Sequence, residues 1–274
     1  MNPFHFGSAD RALFGIHQPP AVRGLAPRGV VLCYPFGVEY MRSHRAFRQL
    51  TTLLARKGFH VLRFDYFGTG DSMGSGEDAS VEGWTGDAGS AITELADMAG
   101  LEQVSVVGLR LGAPLALGAA AHRDDVDRVL LWDPVVSGAR WLEEVLPGEG
   151  PGNPAGPGSG QGETVGVSGF PVTESFRKEL QALHTGRVPV TPGAPVDVVV
   201  SRDEPAFREL ARELEGRGAD AAFHLVPSQG NWAEGDAFGS ALLPQGIIQA
   251  MVDLLVSGRG AGVAAGPGSP EVPA

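Results

Sequence analysis

Apolar positions along the chain fall into two kinds, short continuous runs and stretches repeating near every 3.6 residues, and their order predicts an architecture. Near the start, FHFG (4–7) and ALFGIH (12–17) flank the turn-forming SADR, which predicts a hairpin of two short strands. GVVLCYP (29–35) is an unbroken apolar run ended by Pro35, the pattern of a strand covered on both faces. Ser43 then reads as the N-cap of a helix whose apolar positions Phe47, Leu50, Leu53 and Leu54 share one face and whose end is marked by Gly58.

The alternation continues with strand HVLRFDY (60–66), a helix from about Trp84 to Met98, strand QVSVVG (103–108), a helix from about Ala113 to Ala121 and strand RVLLWDP (128–134). After an interruption come strand VDVVVS (196–201), a helix from about Glu204 to Arg217, strand AAFHLVP (221–227) and a helix from about Leu243 to Val256. Strands alternating with helices imply the α/β class, a mostly parallel sheet with right-handed crossovers and helices on both faces. The expected organisation is one such domain over 1–257. It carries a small lid insertion at about 138–190, whose Gly/Pro-dominated stretch 147–169 is too apolar-poor to order, and a disordered tail at 258–274.

Composition narrows the partners. Among 274 residues, 43% are hydrophobic, 19% charged, and the formal net charge is -11, which is wrong for following a phosphate backbone. Nucleic acid is therefore not expected. Cys33 is the single cysteine, which excludes an intrachain disulfide and CxxC-type metal ligation and fits a reducing cytoplasm. MNPFHFGSADR lacks the layout of a signal peptide, and no apolar run has the length of a membrane span. GTGDSMGSG does not lead into a phosphate-binding helix at P-loop spacing, so no metal or cofactor is expected. Oligomeric state leaves no trace in the sequence.

The most informative stretch is VVGLRLGAPLAL (106–117): a buried strand, a tight turn between Gly108 and Gly112, and a helix of small residues. That is the layout of the nucleophile elbow G-x-S-x-G, with Arg110 at the position of the serine. Together with YPFG (34–37), which matches an oxyanion loop, and the turn FDYFGTGDS (64–72), it resembles the α/β-hydrolase superfamily over nearly the whole chain. EYMRSHRAFRQL (39–50), VLRFDYFGTGDS (61–72), LWDPVVSG (131–138) and GFPVTESFRKEL (169–180) resemble more closely the hydrolase-like proteins encoded beside bacterial exosortase systems, distant relatives of serine aminopeptidases.

The resemblance implies a Ser, Asp, His order of catalytic residues, and this chain departs from it. A guanidinium stays protonated and cannot replace the serine nucleophile. Asp203, after VDVVVS, stands where the acid is implied, or else caps the helix that Pro205 opens. The implied histidine position falls in VPSQGNWAEGD (226–236), where Asn231 stands beside Trp232; His224 lies inside an apolar run and points to core rather than pocket. Asp71 reads as satisfying the amides of its own turn.

Arg110 can act in two ways. It can receive an anion at the amino end of the following helix, with Leu111, Phe36, Gly37, Asn231 and Trp232 around the ligand, and it can pair internally with a nearby carboxylate such as Asp133 or Asp203; the two can coexist. Glu39, Tyr40, Arg42 and His44 crowd the start of a helix just past the oxyanion loop, either as part of its surface or as part of the site. In the site, Glu39 or His44 serves as a general base, with Asp203 as the third catalytic candidate. Three functions stay open: non-serine acid/base chemistry on an anionic acyl or carboxylate molecule, a non-catalytic binding or scaffold protein, and a serine esterase or thioesterase with an unrecognised nucleophile.

Overall fold

A hairpin of β1 (Asn2–Ser8) and β2 (Arg11–Gln18) opens the fold, antiparallel with Phe6 opposite Leu13, as the alternation around SADR predicts. The computed structural model describes residues 1–22, 24–145, 164–167, 170–228, 232 and 244–257. β3 (Arg28–Cys33), α1 (Val38–Arg56), β4 (Phe59–Phe64), α2 (Val81–Ala99), β5 (Val104–Leu109), α3 (Gly112–Ala120) and β6 (Val126–Trp132) follow in strict alternation. An insertion then supplies α4 (Gly138–Val145), the antiparallel pair β7 (Thr164–Val167) and β8 (Phe170–Thr173), and α5 (Glu174–Ala182). β9 (Pro195–Val200), α6 (Pro205–Gly216), β10 (Asp220–Leu225) and α7 (Gln245–Ser257) complete the described chain.

Eight strands form one sheet in the order β1-β2-β4-β3-β5-β6-β9-β10, antiparallel at the hairpin edge and parallel from β4 onward. The second half of β6, Val129–Trp132, shows why a central strand carries an unbroken apolar run. Val129 and Leu131 pack with Leu117 of α3 and with Phe207 and Leu210 of α6, whereas Leu130 and Trp132 join the core that holds Phe47 of α1 and Ile248 and Met251 of α7. Side chains two apart share a face, so the stretch Val129–Trp132, buried on both sides, is apolar throughout.

Three expectations need correction. α1 begins at Val38 rather than after Ser43, because Gly37 at φ 69° turns the chain straight from the oxyanion loop into the helix; the Ser43 hydroxyl donates back to the Tyr40 carbonyl inside it. Residues 164–167, expected to be unstructured, pair as β7 with β8; the rest of 147–169, and 258–274, lie outside the described residues. In the GTGDS turn it is the Asp65 carboxylate that accepts a turn amide, that of Asp71 at 3.1 Å.

The elbow is built on two close approaches. A Cβ on Gly108 would meet the Gly112 carbonyl oxygen at 2.2 Å, and one on Gly112 would meet the Cys33 oxygen at 2.3 Å. Strand β5, helix α3 and the end of β3 thus converge where only glycine fits. Ordinarily Gly→Ala inside a helix stabilises, but here the methyl has nowhere to go. Gly112→Ala is expected to lower unfolding stability by about 1–3 kcal/mol through overpacking, read from the urea midpoint; an unchanged or raised midpoint contradicts this packing.

Candidate functional site

Arg110 sits at φ 52°, in the left-handed region that a side chain rarely adopts, with its N–H on the Trp132 carbonyl at 3.0 Å and its own carbonyl accepting from Ala113 and Val135. Arg110 thus stands on a sharp strand-to-helix turn held in a sparsely populated backbone conformation. Its guanidinium is buried at the carboxyl edge of the sheet. Nε donates to Glu39 Oε1 at 2.8 Å, Nη1 to the Asp133 carbonyl at 3.4 Å, and Nη2 to Glu144 Oε2 at 3.3 Å.

Glu39, in the first turn of α1, is buried as completely as any core residue, and its second oxygen accepts from the Trp141 indole at 3.3 Å. Burial pushes its carboxyl above the ordinary range, against the pull of Arg110 and Trp141. Burial likewise works against the Arg110 charge, but Glu39, Glu144 and Asp133 more than offset it and hold the guanidinium protonated. Internal pairing therefore occurs, with partners other than those the sequence suggested: Glu39 and Glu144 supply the carboxylates, while Asp133 offers only its backbone oxygen.

The Asp133 carboxylate has a different task. Also at positive φ (40°) and buried, it accepts from Ser201 N at 2.7 Å, Ser201 Oγ at 2.9 Å and Trp232 Nε1 at 2.9 Å. Trp232 sits edge-on to Trp132, ring centroids 5.3 Å apart, and its carbonyl accepts from Arg42. The Trp232 side chain meets this carboxylate with an indole nitrogen, which donates only and cannot take a proton.

The other expected site residues disperse. Asp203 is exposed and paired with Arg208 at 2.7 and 2.9 Å, away from Arg110, and Glu204 rather than Asp203 takes the N-cap position of α6. His44 lies on the exposed side of α1 against the Tyr34 and Tyr40 rings, and the Tyr40 hydroxyl donates to Asp65. His224, partly exposed on the edge strand β10, meets the buried Asp197 at 2.7 Å. Leu111 is buried at the start of α3, and Phe36 packs its ring against Trp84, Trp141, Phe170 and Phe176. Asn231 lies outside the described residues.

Phe36 and its neighbours close the oxyanion-loop side, where the cavity along Tyr34–Gly37 measures about 20 Å³, room for about one water. Open space of about 200 Å³ lies instead on the other side of Arg110, walled by Trp141, Glu144, His184, Phe207 and Glu213. Cys33, beneath the elbow, is no substitute nucleophile: burial pushes its thiol up to about 12, and the thiolate is the reactive form. Among the described residues no group of three or more His, Cys, Asp or Glu could hold a metal ion, and no helix is long and apolar enough to cross a membrane.

No protein-family model matches the chain, and no curated protein matches it by sequence. Solved structures match by shape. Est1E from Butyrivibrio proteoclasticus, with ferulic acid bound, aligns at TM-score 0.65 and 14% identity over 92% of this chain and 96% of that one. Alpha/beta hydrolase domain-containing protein 10 from mouse aligns at TM-score 0.55 and 17% identity over 92% and 96%. The bottromycin epimerase BotH, in complex with bottromycin A2, aligns at TM-score 0.53 and 20% identity over 83% and 91%. The fold is the α/β-hydrolase fold.

Removing Glu39 strands a buried cation. Glu39→Ala is expected to cost about 3–5 kcal/mol of stability, and Glu39→Leu combined with Arg110→Met to recover most of it. Glu144→Ala, at a half-exposed partner, is expected to cost less than about 1 kcal/mol. Urea unfolding of the four proteins checks the ranking; a Glu39→Ala protein as stable as Glu144→Ala contradicts it.

Proposed function

We propose that this protein has exchanged the elbow nucleophile for a receptor, and that Arg110 receives the carboxylate of a small anionic acyl compound in the cavity beside it. The observation that carries this reading is the division of the guanidinium's contacts. Its Nε edge is locked by the buried Glu39, while its Nη2 edge meets Glu144, a half-exposed side chain that borders the cavity. A carboxylate from the chain itself already occupies the edge that a ligand would use.

Electrostatics favours exchange over addition. Beside Glu39 and Asp133 a further anion would be repelled, but a ligand carboxylate that displaces Glu144 leaves the local charge unchanged. A planar guanidinium suits this exchange because its fork accepts carboxylate oxygens in fixed geometry. At about 200 Å³ the cavity exceeds the roughly 150 Å³ that holds benzene, enough for a compound of about eight to ten non-hydrogen atoms.

Acyl transfer at the elbow is not part of this reading. Arg110 offers no nucleophile, Trp232 no base, and Glu39, His44 and Asp203 do not converge on one point. A protein of similar fold that is an epimerase illustrates that the fold carries chemistry other than ester hydrolysis.

Isothermal titration with benzoate tests the exchange. Wild type is expected to bind weakly, Glu144→Ala about tenfold more tightly because the internal competitor is gone, and Arg110→Met not at all. Equal affinity in wild type and Glu144→Ala, or binding retained by a folded Arg110→Met protein, overturns the reading.

A further inference from the structure

The far wall of the same cavity carries a second group of reactive side chains, away from the elbow. Ser137 and His184 face each other across an isolated antiparallel bridge. Its hydrogen bonds run from Gly138 N to the Leu183 oxygen and from Thr185 N to the Val136 oxygen, each at 2.9 Å, so they flank the pair and do not join it. In a pair of this type the Cα atoms stand about 4.5 Å apart and both side chains project to the same side.

Ser137, His184 and Glu213 of α6 all line the cavity. Glu213 Oε2 stands 3.8 Å from His184 Nδ1; both atoms are shut off from solvent, and neither has a hydrogen-bond partner among the described residues. Shielded polar atoms left unpaired are costly, and a proton on Nδ1 directed at Glu213 would relieve both once the gap closes. That arrangement leaves Nε2 as the free, basic nitrogen of the imidazole.

The bridge is held firmly. Thr185 is buried, with its hydroxyl on the Val135 carbonyl, and Val135 N donates to the Arg110 carbonyl at 3.2 Å. One loop, 133–137, therefore fixes the elbow and the Ser137–His184 pair relative to each other.

We propose that Ser137, His184 and Glu213 form a displaced nucleophile, base and orienting acid that hydrolyses an acyl compound in this cavity. Ser137 Oγ attacks the acyl carbon while its proton passes to His184 Nε2. The bond to the leaving alcohol, thiol or amine then breaks, and that group departs with the proton from His184. Water attacks the acyl-serine, gives one proton to His184, and the acid leaves as the Ser137 hydroxyl recovers that proton. The 3.8 Å separation tightens when substrate fills the cavity, as catalytic hydrogen bonds commonly do. The proposal rests on the Arg110 reading only for the anionic end of the substrate.

The test is reaction of the full chain with a fluorophosphonate probe, followed by peptide mass spectrometry. Modification is expected on Ser137, absent in Ser137→Ala and slowed about a hundredfold in His184→Gln and Glu213→Gln, all with wild-type circular dichroism. Absence of modification, modification of another serine, or labelling of Ser137 at an unchanged rate in His184→Gln overturns the proposal. A protein that binds benzoate through Arg110 but is not labelled overturns the displaced triad alone. Labelling of Ser137 with no benzoate binding overturns the carboxylate receptor alone.

Discussion

A positive charge almost wholly removed from water can persist only where an opposite charge meets it, and here Glu39 meets Arg110 at 2.8 Å. Much of the local structure follows from that requirement. α1 must start immediately after Gly37 to bring Glu39 into its first turn, and Trp141 of α4 must lie close enough to donate to the second Glu39 oxygen. The elbow must keep its left-handed turn, because φ 52° is what presents residue 110 at the sheet edge between β5 and α3. The ion pair thus ties together the oxyanion loop, the elbow and the insertion.

Around this pair, the polar positions at the sheet edge are tied together by hydrogen bonds. Asp133 is fully engaged, but its side-chain partners are Ser201 and Trp232, and the tryptophan can only donate. The rings around Phe36 fill the space along Tyr34–Gly37, and the open cavity lies toward α4 and α6. A site whose centre has been filled can still bind at its flank. The reactive side chains of the proposed Ser137 site are found on that flank.

The central strands were legible because burial on both faces of a parallel sheet writes unbroken apolar runs such as VVLC and VLLW into the sequence, and the helices between them because one face repeats near every 3.6 residues. The insertion was not. Its Gly/Pro content masks any periodicity, although Thr173, which caps α5 by accepting from Phe176 N, and Glu174 in the first turn carry an ordinary helix-start signal. Arg110 and Glu39 were each recognisable as candidates, but their pairing joins positions 71 residues apart and no local pattern encodes it. Asp203 misled for the opposite reason: it follows a strand, as a catalytic acid would, yet Arg208 five residues on satisfies it locally. Ser137 and His184 meet only through a bridge between two loops, which periodicity cannot register.

The central claim is that Arg110 is held by Glu39 on one edge and exchanges Glu144 for a ligand carboxylate on the other. Side-chain ¹⁵N NMR of arginine-labelled protein, titrated with benzoate, tests it most directly. The account predicts a resolved, slowly exchanging Arg110 Nε–H signal that persists throughout while the Nη resonances move to saturation. Nη resonances that stay fixed throughout the titration, or an Nε–H signal that exchanges with water as fast as those of surface arginines, would contradict it.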